Sequence, residues 1–213
     1  MRLFLLTLVT LVTVKPLCGQ CKYLDLGTQN AIAAVGDHEI GPNKSNSSGV
    51  SFGFQASEIM ELGVSMGFGK FKYLAQADDI NLSTFTYQSV APYIEFIGKK
   101  PSNPVSISFT IFYLGYMSST ESLSQKNIGV AASLFKEFSI RPSFTNRIKI
   151  IPEASVAKVV NFEGEKPGTS LSGMLNFLTN VHKDFELLLS GGVTRIKSKN
   201  STNLAAGILL KIR

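Results

Sequence analysis

From Ser47 onward the chain alternates apolar with small polar residues at a period of two, in blocks separated by turn residues. That period puts successive side chains on opposite faces, so each block reads as a β-strand with one apolar face. In one block Val50, Phe52, Phe54 and Ala56 share a face while Ser51, Gly53, Gln55 and Ser57 take the other. Glu58-Ile59 turns the chain, and Leu62, Val64, Met66 and Phe68 then oppose Gly63, Ser65, Gly67 and Gly69. Val105, Ile107, Phe109, Ile111, Tyr113 and Met117 repeat the pattern, as do Ile128, Val130, Ala132 and Leu134. Four further blocks follow: Ile148 to Val160, Leu171 to Val181, Phe185 to Val193 and Leu204 to Ile212. Such a chain is all-β and antiparallel.

Alternation is shared by soluble sandwiches and lipocalin-type barrels, so the polar face has to decide between water and lipid. A soluble exterior carries about 25 to 35% charged residues, whereas here that face is mostly Ser, Thr, Gly, Asn and Gln. Small neutral residues suit a narrow lumen instead. The apolar faces run five to six successive positions, the length of a membrane strand of roughly 9 to 11 residues. Tyr73, Tyr87, Tyr93, Tyr113 and Tyr116 fall near strand ends, where an interfacial aromatic girdle is expected.

Counting blocks after Asn46 gives nine strands. A barrel with both chain ends on one side needs an even number, so the weaker stretch Tyr23 to Ala34 is read as the first of ten; an eight-stranded barrel is the alternative. Turns at 57 to 60, 99 to 103, 140 to 146 and 182 to 184 are expected on the periplasmic side. Segments 35 to 48, 74 to 82, 119 to 126, 163 to 168 and 198 to 202 are expected outside. Pro92 and Pro152 lie inside strands, where a missing donor is tolerated at bulges or edges. The apolar phase around Pro92 suggests a bulge.

Met1-Arg2 followed by the apolar run Leu3 to Val14 reads as a secretory signal peptide over residues 1–20, with small Gly19 before the cut and Gln20 as mature N-terminus. Residues 21–213 then form one outer-membrane barrel domain. Of the two cysteines, at most Cys21 survives, so neither a disulfide nor a cysteine metal site is expected. The net charge of +6 is spread through turns and strand ends with no Lys/Arg cluster among aromatics, which argues against nucleic acid.

Blocks such as GVSFGFQASEIMELGVSMGFG and SISFTIFYLGYMSS resemble the strand-turn-strand units of small bacterial outer-membrane β-barrel proteins, over residues 47 to 213. The resemblance implies outer-membrane residence, membrane lipid and the outer-membrane assembly machinery as partners, and a monomer.

The sharpest enzymatic candidate is Asp37-His38 in the first expected outer loop with Asp78-Asp79 in the second, an Asp/His pair facing two aspartates of the kind omptin proteases use. Sequence proximity does not supply the hydrogen-bond geometry acid-base work needs, and these four are expected to be solvated loop residues. His182 has no second histidine near it and reads as a turn residue. Gly67, Gly69 and Gly191-Gly192 alternate with apolar residues and open no helix, so they are strand positions and not a phosphate loop. The sequons at Asn43, Asn46, Asn81 and Asn200 are all expected in outer loops. No catalytic, cofactor-binding or metal residue is nominated. Glu61, Glu95, Lys149 and Glu153 are expected to point into the lumen and to pair there, because an unpaired buried charge is costly.

The functional expectation is a structural, adhesive or small-solute passage role and not an enzyme. The alternatives are an omptin-like or lipid-acting hydrolase, and a soluble secreted barrel that binds an apolar ligand.

Overall fold

Every block of alternation is a strand in the computed structural model, which describes residues 30–40, 44–73, 83–99, 103–118, 125–141, 147–161, 168–196 and 199–212. The strands are β1 (Asn30–Ile40), β2 (Lys44–Ser57), β3 (Met60–Tyr73), β4 (Ser83–Gly98), β5 (Ser106–Ser118), β6 (Gln125–Phe135), β7 (Phe138–Ile140), β8 (Ile148–Asn161), β9 (Gly168–His182), β10 (Phe185–Ile196) and β11 (Lys199–Ile212). All pairings are antiparallel: β1 to β6 pair in chain order, β8 to β11 likewise, β1 pairs with β11, and β6 and β7, which do not pair with each other, both pair with β8. The sheet therefore closes on itself and leaves no edge.

Eleven strands make ten staves. The β6–β8 and β7–β8 pairings share one register, interrupted only opposite Ile151 and Pro152. Pro152 has no N–H to donate to the ladder, while its carbonyl still accepts from the Lys136 N–H at 3.2 Å. β6 and β7 are thus one strand broken by a proline on its neighbour. Pro92 acts likewise: the β4–β5 ladder skips Ala91 and Pro92 and resumes in the same register, and β3–β4 runs through unshifted. The bulge expected at Pro92 is absent. What looked like a phase slip is lumenal Tyr87, Ala91 and Tyr93 giving way to exterior Ile94 and Phe96.

The first strand also differs from expectation. It occupies Asn30–Ile40, and β2 begins at Lys44, so Asp37 and His38 lie in β1 and not in an outer loop. Of the loop expected over 35 to 48, residues 35–40 and 44–48 are strand, and 41–43 lie outside the described residues. These stretches are polar on both faces, and wall that rises above lipid carries no hydropathy signal. For the same reason Asn46 and Asn200 sit in β2 and β11. Residues 1–29, with the expected signal peptide, lie outside the described residues, as do Asn43, Asp78, Asp79 and Asn81.

The exterior is apolar around the whole wall: Phe52 and Phe54, Met66 and Phe68, Ile94 and Phe96, Phe109 and Ile111, Leu175 and Phe177, and Leu187 and Leu189 are all exposed. Water would tolerate no such continuous belt, whereas hydrocarbon requires it, together with the closed hydrogen bonding of the wall. Of the five tyrosines expected in a girdle, three do not join one, and the side chain of Tyr73 lies outside the described residues. Tyr87, Tyr93 and Tyr116 are 3%, 4% and 4% exposed and point into the barrel; Tyr113 faces outward.

Candidate functional site: the barrel lumen

The end at which Asn30 pairs with Ile212 is the near end, and the opposite end of the barrel is the far end. Inward residues alternate with the apolar exterior on every stave, and they stack in chemically distinct layers from near to far.

The near layer is charged. Glu186, second residue of β10, accepts from two ammonium groups through one oxygen: Lys211 Nζ lies 2.6 Å and Lys149 Nζ 3.3 Å from Oε1. All three side chains are at most 6% exposed. Beside them, between β6 and β7, Glu137 takes Lys99 at 2.9 Å and Arg147 at 3.0 Å. The expectation that Lys149 meets a carboxylate from a neighbouring wall holds, with Glu186 as that carboxylate. Glu186 and Lys211 were not singled out from the sequence, yet strand parity reveals both. Glu186 lies between exterior Phe185 and Leu187, and Lys211 between Leu210 and Ile212.

Next comes an apolar floor. Ala31, Ala33, Val35, Ile97, Phe135, Ile151, Leu178, Leu188, Ala205 and Leu209 form one buried cluster, drawn from seven staves. The lumen was expected to hold small neutral residues, and these larger side chains depart from that. A barrel of about ten staves is only slightly wider than one its side chains fill, so Phe135, Ile151, Leu178 and Leu209, all 2% exposed or less, close much of the section.

Two further carboxylates are buried on β3 and β4, where Glu61 pairs with Glu95 across the strands. Glu61 and Glu95 are 0% and 1% exposed. The Tyr93 hydroxyl donates to Glu61 Oε1 at 2.5 Å, and the Thr110 hydroxyl to Glu95 Oε1 at 3.3 Å. Glu153 shares the inward face of β8 with Lys149 and Ile151 and is half-buried. All four lumenal charges expected from the sequence are therefore inside. A second apolar cluster follows on one side of the wall, with Tyr93, Phe112, Leu114, Val159 and Ile196.

The far layer is polar. The Ser45 hydroxyl donates to Glu39 Oε2 at 3.1 Å, Asn203 Nδ2 to Thr194 Oγ1 at 2.8 Å, and Tyr87 stacks on Tyr116 at 5.0 Å between ring centres. Asp37 belongs to this layer, whereas His38, next in the strand, faces outward and hydrogen-bonds Asn46. Strand alternation thus puts the two members of the candidate dyad on opposite sides of the wall. His182 ends β9 at the near end, 3.8 Å from Asp184. Among the described residues no three His, Cys, Asp or Glu side chains gather as a metal site.

The sequence matches no protein-family model and no curated protein. Solved structures do match in fold. The translocator domain of the autotransporter NalP from Neisseria meningitidis aligns with TM-score 0.51 at 11% identity, over 99% of this chain and 96% of that one. An outer membrane channel from Pseudomonas putida F1 aligns with TM-score 0.51 at 9% identity, over 89% and 98%. The beta domain of the Bordetella autotransporter Brka gives 0.50 at 9%, over 86% and 99%. The chain is a closed ten-stave β-barrel of the bacterial outer-membrane kind, with an exterior made for lipid.

Proposed function

We propose that this protein resides in the bacterial outer membrane, near end toward the periplasm, as a closed barrel that does not conduct and that serves the envelope by its presence and its far surface: a structural or adhesive role. The observation that carries this reading is the apolar floor around Phe135, Ile151, Leu178 and Leu209, with the Glu186 ion cluster beside it, where Glu186 and Lys149 pair directly with Leu209 and Leu178. Passage of solute, as in a channel, would require both layers to move. Membrane lipid and the assembly machinery are its partners, one chain suffices for closure, and no cofactor is called for. Catalysis is not part of the proposal, because Asp37 and His38 face opposite sides of the wall.

The test is reconstitution of the folded protein into planar lipid bilayers under applied voltage. The expected trace is flat. Reproducible unitary current steps from the unmodified protein would sink the proposal in favour of passage.

A further inference from the structure

The lipid-facing wall is not uniform. Between two rows of exterior side chains that run obliquely across β4 to β10 lies an apolar furrow of about 950 Å³. Its bed is floored by small residues, Ala132 on β6, Ala154 on β8 and Gly173 on β9, and its sides by Phe109, Leu134 and Leu171. A Cβ built on Gly173 meets nothing within 4 Å. Six staves at roughly 4.8 Å spacing make the furrow roughly 24 Å long, which suits an extended hydrocarbon chain.

At its far end the furrow runs under Arg195 on β10. Arg195 pairs with Leu171, two residues from Thr169, and Thr169 pairs directly with Lys158 on β8. All three face outward and are exposed. Diagonal and direct neighbours on one face lie within reach of long side chains, so a guanidinium, an ammonium and a hydroxyl share one patch at the furrow's mouth. The same rim carries exposed Lys70 on β3, just beyond Phe68, and Lys126 on β6, just before Ile128. Acidic residues of the far part of β1 turn the other way: Asp37 and Glu39 are buried in the lumen. At this far end, among these described residues, basic groups face the lipid side and acidic groups the inside, unlike the near layer, where Lys149 and Lys211 are lumenal.

We infer that the furrow and the Arg195/Lys158/Thr169 patch together form a site for one anionic, phosphate-bearing lipid of the surrounding membrane. Its hydrocarbon chain lies over Ala132, Ala154 and Gly173, and its phosphate sits between Arg195 and Lys158. Arginine and lysine both bind phosphate, arginine through paired donors. This inference rests on the outer-membrane reading above, and the experiment separates the two.

The folded protein in detergent is titrated with phosphatidylglycerol and, separately, with phosphatidylcholine of the same chains, and retained lipid is read by native mass spectrometry. One phosphatidylglycerol should be held in preference, by roughly 30-fold, which corresponds to about 2 kcal/mol for two basic groups near a lipid surface. Arg195→Gln with Lys158→Gln should abolish the headgroup preference while the barrel stays heat-modifiable in gels. Gly173→Leu should fill the bed and weaken both lipids alike, and inorganic phosphate alone should not displace the bound lipid. Equal retention of the two lipids by the unmodified protein, or a preference untouched by the double variant, overturns the lipid site and leaves the barrel reading standing. A chain that stays folded and monodisperse in buffer without detergent overturns the outer-membrane reading itself, and this inference with it.

Discussion

The ring of Tyr93 lies flat across Gly63 on the neighbouring stave: a Cβ at Gly63 would come within 2.3 Å of the ring carbon Cζ. Gly63 is the gap that lets Tyr93 cross β3 and reach Glu61 with its hydroxyl. Two other rings use the same device, Tyr87 over Gly69 and Phe112 over Gly129, where the added atom would come within 2.8 and 2.3 Å of the ring, and at Gly69 also within 2.5 Å of the Asn46 carbonyl oxygen.

Gly63→Ala should therefore destabilise the barrel, by about 1 to 3 kcal/mol for the overpacking, more if the Tyr93–Glu61 hydrogen bond is lost with it. Gly173→Ala is the matched control, because open space faces it. Urea unfolding midpoints in one detergent compare the two. A Gly63→Ala variant as stable as the Gly173→Ala variant would show that the ring yields freely.

A second prediction tests depth in lipid. Val64 lies between Leu62 and Met66 on the exterior of β3, and Gln88 is exposed near the far end of β4. Val64→Arg should cost about 2 to 4 kcal/mol at the bilayer midplane, and Gln88→Arg about 0 to 1 near the interface. Folding into lipid vesicles gives both values. Equal penalties would mean that the belt has been set at the wrong height.

The exterior was legible because hydrocarbon allows one kind of residue at every second position, and the phase read at Val50, Ile107, Phe177 and Ile208 is the phase observed. The lumen was legible only by parity. Parity places Glu61, Glu95 and Lys149 inside, but it does not tell a lumenal tyrosine from an interfacial one, and Tyr87, Tyr93 and Tyr116 were assigned to a girdle on position alone. Above the lipid neither face is constrained, so the strand through Gly36, Asp37, His38 and Glu39 looked like loop. Pro152 was recognised as an anomaly. Its effect, splitting β6 from β7 across the ladder, needed the neighbouring strand.

The Glu186 cluster yields a third prediction. One carboxylate oxygen between Lys149 and Lys211 holds two buried ammonium groups together, and removing a member of such a cluster strands charge in a medium that solvates it poorly. Glu186→Gln should destabilise by about 3 to 5 kcal/mol. Replacing all three at once, Lys149→Met, Glu186→Leu and Lys211→Met, should be milder than the single change, because no charge is left behind. Unfolding in detergent ranks the two variants. A triple variant less stable than Glu186→Gln would mean that the cluster contributes more than compensation of its own charges.

The last prediction locates the block in the lumen. If the apolar floor closes the barrel, trimming it should open a route that the ion cluster alone does not seal. Phe135 on β6 and Leu209 on β11 belong to the same buried cluster from separate parts of the wall, 2% and 1% exposed. Phe135→Ala should cost about 3 to 5 kcal/mol and Leu209→Ala about 2 to 5 kcal/mol. That is a serious loss, so each variant must first show heat-modifiable folding in detergent gels before it enters a bilayer. The double variant, once folded, should pass small monovalent ions in discrete steps where the parent protein passes none. Adding Glu186→Gln to it should shift selectivity toward anions, since Lys149 and Lys211 then face the route without that carboxylate. A folded double variant that remains silent would place the block elsewhere, in the cluster of Tyr93, Phe112 and Leu114 nearer the far end.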